Sequence, residues 1–148
     1  MVKSEYERIT SNFAESLQEL AADVNIGELS ASVNISVPVI YRYLRRESVP
    51  SLCNAIAIAT HFGCSLDFLF GLTDKRQSLG KNAPPFCEAF RGILKERNCT
   101  RYRLQKDTAI PSQSIDDWYA GKRVPAVPNL IKIAEYLGCT LDELTGRG

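Results

Sequence analysis

Residues 26–44 read IGELSASVNISVPVIYRYL, and this stretch decides the fold. The residue before it, Asn25, has together with Glu28 the form of a capping box at the start of a short helix. Asn34 marks a tight turn, and Ser36 is able to cap the helix that follows. The stretch therefore predicts two short helices joined by a tight turn.

A second copy of this arrangement follows later in the chain. Residues 101–119 read RYRLQKDTAIPSQSIDDWY, with Ala109 at the turn, and GCSLDFLFG at 63–71 returns as GCTLDELTG at 138–146. The offset, 138 − 63 = 75 residues, places Leu29, Ile35, Ile40, Tyr43, Val49 and Pro50 on Leu104, Ile110, Ile115, Trp118, Val124 and Pro125. Nearer the N-terminus the offset is 73, which places Phe13, Leu17 and Leu20 on Phe86, Phe90 and Ile93. Two residues have therefore been gained between the first and second helices of the later copy, and the repeat is a duplicated small domain, not a solenoid unit.

Each copy is expected to be helical throughout, because apolar residues recur at three- and four-residue steps. In the first copy these residues are Tyr6, Ile9, Phe13, Leu17, Leu20, Ile40, Tyr43 or Leu44, Leu52, Ala55, Ile56, Ala59 and Phe62. In the second copy they are Phe86, Phe90, Ile93, Leu94, Leu130, Ile133, Ala134 and Leu137. Because no run alternates with a period of two for long enough to form a strand, the predicted fold is all-α.

The polar stretch TDKRQSLGKNAPP at 73–85 predicts an exposed linker. It separates a first domain at residues 1–72 from a second domain at 86–148, and the three segments carry net charges of −3, +2 and +2. The resulting total of +1 is too small to indicate a nucleic-acid partner by itself, so that inference depends on where the charges lie.

Several classes of site and location are disfavoured by composition. The chain has five cysteines without a CxxC pair and a single histidine, His61, so neither a metal nor another cofactor is expected. Buried, reduced thiols in a cytoplasmic protein are expected instead. The N-terminus lacks the apolar core of a secretion signal, no run is long enough to span a bilayer, and no small-molecule site is evident.

An enzyme is not expected either. His61 would have to be the sole imidazole base of any catalytic site, and the sequence has no glycine-rich phosphate loop. No pair of carboxylates has a catalytic context.

Both copies resemble the helix-turn-helix domain of lambda-repressor- and Cro-type regulators, the xenobiotic-response-element family. Residues 109–146 follow the family pattern closely, through Ile115, Trp118, the loop Gly121-Lys122-Arg123, Pro125 and the tail from Asn129 to Gly146. The resemblance covers nearly everything outside 73–85. It implies two five-helix lambda-repressor-like DNA-binding domains joined by a polar linker.

Two positions depart from the family pattern. The alanine that usually follows the family leucine is Ser30 in the first copy and Gln105 in the second, and Gln105 must bend outward or widen the helix crossing. The loop glycine is Gly121 in the second copy but Arg46 in the first. If the backbone needs a positive φ there, Arg46 costs about 1 kcal/mol.

The resemblance also implies which residues of the first copy contact DNA, because the third helix of such domains enters the major groove. The base-reading positions are Val37, Pro38, Tyr41 and Arg42, and Ser36 is a further DNA-binding position. Arg42 is the strongest candidate, since a guanidinium bonds bidentately to guanine, whereas Val37 offers only apolar contact. Arg45 and Arg46 are expected to hold phosphates.

In the second copy the predicted DNA-contacting positions carry polar, acidic and basic residues. The base-reading positions are Ser112, Gln113, Ser114 and Asp117, while Lys122, Arg123 and Arg101 are at phosphate-contacting positions. Gln113 is suited to adenine, and Asp117 is repelled by DNA unless it accepts a hydrogen bond from a cytosine amino group. On the residues alone, Asp116 and Asp117 also fit a solvated pair, and the three arginines of the first copy fit a solvated helix end.

The implied function is sequence-specific binding of double-stranded DNA by a transcriptional regulator, most simply a repressor, of bacterial or phage/mobile-element type. One chain then covers two half-sites in direct, inverted or unlike arrangement, and a homodimer is a further arrangement that the resemblance allows. The alternative is a protein-interaction or dimerisation module in which one or both units no longer bind DNA. The negative charge of the first copy and the pair Asp116-Asp117 favour this alternative.

Overall fold

A computed structural model describes residues 5–76 and 83–147 of the chain. It divides into two compact units, Met1–Ser78 and Leu79–Gly148. The described residues form ten α-helices and no extended strand, which confirms the all-α fold with five helices in each domain. The predicted linker at 73–85 includes residues 77–82, which lie outside the described residues, so the boundaries at 72 and 86 stay a prediction.

The first domain is built from five helices. They are α1 (Glu5–Leu20), α2 (Ile26–Val33), α3 (Val37–Leu44), α4 (Leu52–Phe62) and α5 (Leu66–Leu69). The side chain of Asn25 accepts a hydrogen bond from the Glu28 N–H at 3.0 Å, which is one of the two hydrogen bonds of the predicted capping box at the start of α2. Asn34 ends that helix with a left-handed φ of 58°, which produces the tight turn into α3.

The second domain repeats the order. Its helices are α6 (Phe86–Glu96), α7 (Arg101–Thr108), α8 (Ser112–Ala120), α9 (Val127–Leu137) and α10 (Leu141–Thr145). Thr100 caps α7, and Ala109 forms the turn into α8 with a φ of 60°. Thr140 and Glu143 form the predicted capping box at the start of α10.

Each third helix is held in place by an aromatic core residue that contacts the first helix. In the first domain, Tyr43 meets the ring of Phe13 edge to face at 5.3 Å. In the second domain, Trp118 takes the equivalent position and meets Phe90 at 6.5 Å. Both aromatic residues are 3% exposed, so the inward face of each third helix is fixed and the opposite face is left to solvent.

Two long-range hydrogen bonds confirm the shift in offset along the repeat. Gln18 of α1 donates to the backbone carbonyl of Leu44, and Arg91 of α6 donates to that of Tyr119, both at 3.0 Å. The acceptors are 75 residues apart and the donors 73 apart, as the sequence comparison requires. The two extra residues therefore lie between α6 and α7.

Three expectations about burial are wrong. Tyr6 is 51% exposed, because residues 5–8 at the start of α1 are exposed on every side. In α4, Ile58 is buried, while Ile56 and Phe62 are only half-buried. At 100° per residue, Ile56 lies about 100° around the helix from Ala55 and Ile58 only about 60°, so Ile58 is nearer to the centre of the inward face. Phe62 is the last residue of α4.

The cysteines also differ from expectation. Of the five cysteines, only Cys64 is buried. Cys53 is exposed, and Cys87, Cys99 and Cys139 are half-buried. Small side chains at helix ends and on loops reach solvent even when they flank a core.

Candidate nucleic-acid interface

The third helix of the first domain presents its predicted base-reading positions to solvent. Ile40 and Tyr43 are buried, which turns the opposite face of α3 outward. Along that face Ser36, Pro38, Tyr41 and Arg42 are exposed and Val37 is half-buried. Ser36 occupies the N-cap position of α3, but its side chain makes no capping hydrogen bond. Its hydroxyl is therefore not committed to holding the helix end.

The cations of this face are weakly engaged. Arg45 pairs with Glu47 at 3.2 Å and Arg46 with Glu15 at 3.9 Å, and all four side chains are at least 45% exposed. Exposed pairs of this kind contribute about 0–1 kcal/mol, so a phosphate is able to replace the carboxylate. Within the described residues, no carboxylate lies within 4.0 Å of Arg42, whose side chain extends from the exposed face of α3.

The third helix of the second domain carries a hydrogen-bonded network in place of free cations. Gln113 Nε2 donates to Asp117 Oδ1 at 2.9 Å, and Arg123 Nε donates to Asp117 Oδ2 at 3.0 Å. Arg123 also donates from Nη2 to the Ser114 hydroxyl at 3.3 Å. Four side chains at predicted DNA-contacting positions are thus joined to one another.

A second group of contacts surrounds the start of α7. The Arg101 guanidinium pairs with Asp116 at 3.2 Å and lies over the ring of Tyr119, 4.3 Å from its centroid. Gln105 and Ile115 line an open cleft of ≈ 440 Å³ between α7 and α8. Gln105 is half-buried there, so the larger residue at this helix crossing is accommodated beside an open cleft. Ser112 and Lys122 are exposed on the same domain.

Both domains match known families. Residues 90–147 match the Cro/C1-type HTH DNA-binding domain, and residues 19–69 match a helix-turn-helix family. The chain carries two Cro/C1-type helix-turn-helix domains in tandem. Neither a curated protein nor a solved structure matches it. The tandem domains support a DNA-binding regulator, and families of this type are typically non-enzymatic.

The structure of this tandem regulator adds interactions that the sequence did not predict. The ring of Tyr119 supports Arg101, and Arg91 lies 5.7 Å from the same ring while bonding to the Tyr119 carbonyl. The spacing of Gln113 and Asp117, four residues apart on one helix, was a signal for their hydrogen bond. The hydrogen bond between Asp117 and Arg123 had no such signal in the sequence, because it depends on the path of the loop after Gly121.

Cys99 and Tyr136 are titratable groups whose pKa is shifted, and neither residue lies on α8. Burial raises the pKa of the Cys99 thiol, with Arg103 lowering it and Asp107 raising it further. The pKa of Tyr136 is raised chiefly because its hydroxyl donates a hydrogen bond to Asp107. Neither shift therefore acts on a predicted base-reading position.

Residues 5–76 and 83–147 hold no group of three or more His, Cys, Asp or Glu side chains placed to bind a metal ion. In the same part of the chain, no helix combines the length and apolar character that crossing a membrane requires.

Proposed function

We propose that the chain is a sequence-specific double-stranded DNA-binding transcriptional regulator that acts as a repressor in the cytoplasm of a bacterium or from a phage or mobile element. The observation that carries the proposal is the exposed face of α3 in the first domain. There the Arg42 guanidinium projects beside further cations at the helix end. A bound domain blocks access to the duplex that it covers, which makes repression the simplest effect.

In this proposal the first domain reads bases through Arg42. Two of its five guanidinium N–H donors are able to bond to the two acceptors, O6 and N7, on the major-groove edge of guanine. Val37 contributes an apolar contact, and Ser36, Pro38 and Tyr41 complete the surface that faces the groove. Arg45 and Arg46 exchange their exposed carboxylate partners for phosphates.

The second domain is proposed to bind by a different set of contacts. Gln113 reads a base, with Ser112 and Ser114 beside it, while Lys122, Arg123 and Arg101 hold phosphates. Asp117 and Asp116 already have positively charged partners, Arg123 and Arg101, at 3.0 and 3.2 Å. Those pairs lower the repulsion between this face and a polyanion.

Selection from a pool of random duplexes with the full chain tests the proposal, because the enriched sites reveal both specificity and half-site arrangement. We expect two enriched blocks, one of them dependent on Arg42. Binding of a selected site is then measured against salt, where each phosphate contact adds about −0.9 to the slope of log K against log salt. The proposal fails if no sequence is enriched and binding shows no salt dependence.

A second candidate function is favoured by the ion pairs of the second domain. Because Arg101 and Arg123 are both neutralised by carboxylates, this domain is also suited to serve as a protein-interaction or dimerisation surface. The sequences selected by variants of the chain distinguish the two functions. If the second domain binds protein only, Gln113→Ala leaves the enriched sequences unchanged, while Arg42→Ala still relaxes the base preference at one position.

A further inference from the structure

Asp117 is unusual for a residue on a surface proposed to face DNA. A carboxylate directed at the major groove is repelled by the phosphates. It contributes to base recognition only if it accepts a hydrogen bond from the amino group of a cytosine. Yet its side chain is only 16% exposed, compared with 54% for the neighbouring Asp116. Each of its two oxygens already accepts a hydrogen bond from a different side chain, Gln113 and Arg123.

The carboxylate fixes the orientation of the Gln113 amide. An ionised carboxylate only accepts hydrogen bonds, so the amide must turn its NH₂ group, not its oxygen, toward Asp117. That assignment follows from the chemistry of the partner and resolves the usual ambiguity of an amide flip. The amide oxygen and the second N–H then remain for a ligand.

The remaining groups of Gln113 match one base. The major-groove edge of adenine offers an N6–H donor beside the N7 acceptor, and an amide with one oxygen and one N–H free pairs with both. Guanine presents two acceptors instead, O6 and N7, so an amide held in this orientation opposes its O6 with an oxygen. Fixing the amide therefore favours adenine over guanine.

Arg123 completes the arrangement. Its Nε–H goes to Asp117 and one Nη2–H to Ser114, which leaves three of its five N–H donors for a phosphate. It also supplies the positive charge that offsets the carboxylate. The equivalent residues of the first domain, at an offset of 75, are Pro38, Val39, Arg42 and Ser48, which cannot form this network.

We propose that Asp117 is a positioning residue that selects adenine through Gln113. It holds the amide in the adenine-reading orientation while Arg123 offsets its charge. The inference rests on the proposed function and adds a specificity mechanism to the second domain that the first domain lacks. Asp117 itself touches no base, so it does not read cytosine.

The test compares the full-length chain with four variants on a selected duplex and on duplexes changed at single base pairs. Gln113→Ala first identifies the base pair that Gln113 reads, as the one at which discrimination disappears. At that pair we expect the wild type to prefer adenine over guanine by roughly 5- to 150-fold, the range for one bidentate contact. Asp117→Ala should reduce that ratio by about fivefold or more, because the freed amide turns toward guanine.

Two variants separate orientation from charge. Asp116→Ala removes the same charge one residue away without touching Gln113, so overall affinity changes while the adenine preference stays within about twofold. Asp117→Asn removes the same charge but has one oxygen for two donors, and the cationic Arg123 takes it. The NH₂ group of the new amide then faces Gln113 and favours the reversed amide, so the adenine preference should fall as in Asp117→Ala. The fluorescence of Trp118, the only tryptophan of the chain, reports folding of the second domain. If Asp117→Ala is unstable, Asp117→Ser, whose hydroxyl is too short to reach Gln113, takes its place with the same expectation.

The outcomes distinguish this inference from the function on which it rests. If Gln113→Ala alters a base preference and Asp117→Ala leaves it intact, the inference is overturned while the regulator still reads DNA with α8. It is overturned equally if Asp116→Ala reduces the preference as much as Asp117→Ala does. If no duplex is selected at all, the proposed function fails and the inference fails with it.

Discussion

Arg46 and Gly121 occupy equivalent positions in the two domains, and both have a left-handed backbone, with φ of 63° and 84°. The loop after the third helix therefore requires this conformation in both copies. Glycine adopts it without penalty, whereas a residue with a Cβ is strained there by about 1–2 kcal/mol. The first domain keeps that strain at a residue proposed to contact phosphate.

Replacing Arg46 by glycine should separate stability from binding. We expect Arg46→Gly to stabilise the first domain by up to about 1 kcal/mol, since the strain is relieved and only a weak, exposed pair with Glu15 is removed. Duplex affinity should fall because the glycine has no cation to place against a phosphate. Thermal unfolding and duplex binding at several salt concentrations measure the two effects.

The reverse change in the second domain is the matched control. An alanine Cβ at Gly121 would lie 3.1 Å from the Cys87 sulfur, in a backbone conformation that already disfavours it. Gly121→Ala should therefore destabilise the second domain by about 1 kcal/mol or more. Equal stability of Arg46→Gly and the wild type would show that the first-domain loop carries no strain.

The sequence predicted the scaffold because its signals are local. Thr140 with Glu143 predicted a capping box, and the two residues gained before α7 followed from the apolar pattern alone. The hydrogen-bond partners of the residues proposed to contact DNA could not be predicted in the same way. Whether Asp117 faces a base or a cation depends on where the loop carries Arg123, six residues further on, and no periodicity encodes that path.

Arg42→Ala should relax base preference at one position of the selected site. Removing a bidentate hydrogen bond to guanine takes away about 1–3 kcal/mol of discrimination, or roughly 5- to 150-fold. Competition with duplexes that carry each of the four base pairs at that position measures the change. Arg45→Ala serves as the control, because removal of a phosphate-binding cation weakens all four duplexes alike. A preference left intact in Arg42→Ala would remove this residue from base reading.

Lys122→Ala combined with Arg123→Ala should weaken binding to all duplexes about equally. The change removes two phosphate-binding cations and leaves the hydrogen bond between Gln113 and Asp117 in place. We expect the slope of log K against log salt to become less negative by about 1.8, which is about 0.9 for each of the two phosphates no longer neutralised. An unchanged slope would mean that neither side chain binds a phosphate in the complex.

The thiols should differ widely in their rate of modification. Cys53 is exposed and should react first, whereas Cys64 is fully buried and should react only when the first domain unfolds. Burial raises the pKa of Cys99, so less of it is thiolate near neutral pH and its reaction should be slow there and speed up as the pH rises. Timed alkylation at several pH values, followed by peptide mass spectrometry, gives the order. Cys99 labelling as fast as Cys53 at neutral pH would contradict it.

Arg147 and Asp142 form the most deeply buried ion pair that the structure describes, with Nη1 2.8 Å from Oδ1 and the side chains 1% and 11% exposed. Arg147→Ala removes the cation that faces a buried carboxylate, and it should destabilise the second domain by about 3–5 kcal/mol. Arg97→Ala is the control, since its pair with Glu143 spans 3.9 Å at the surface and should contribute less than about 1 kcal/mol. Urea denaturation followed by Trp118 fluorescence compares them, and similar losses of stability in the two variants would show that burial adds nothing to the Arg147 pair.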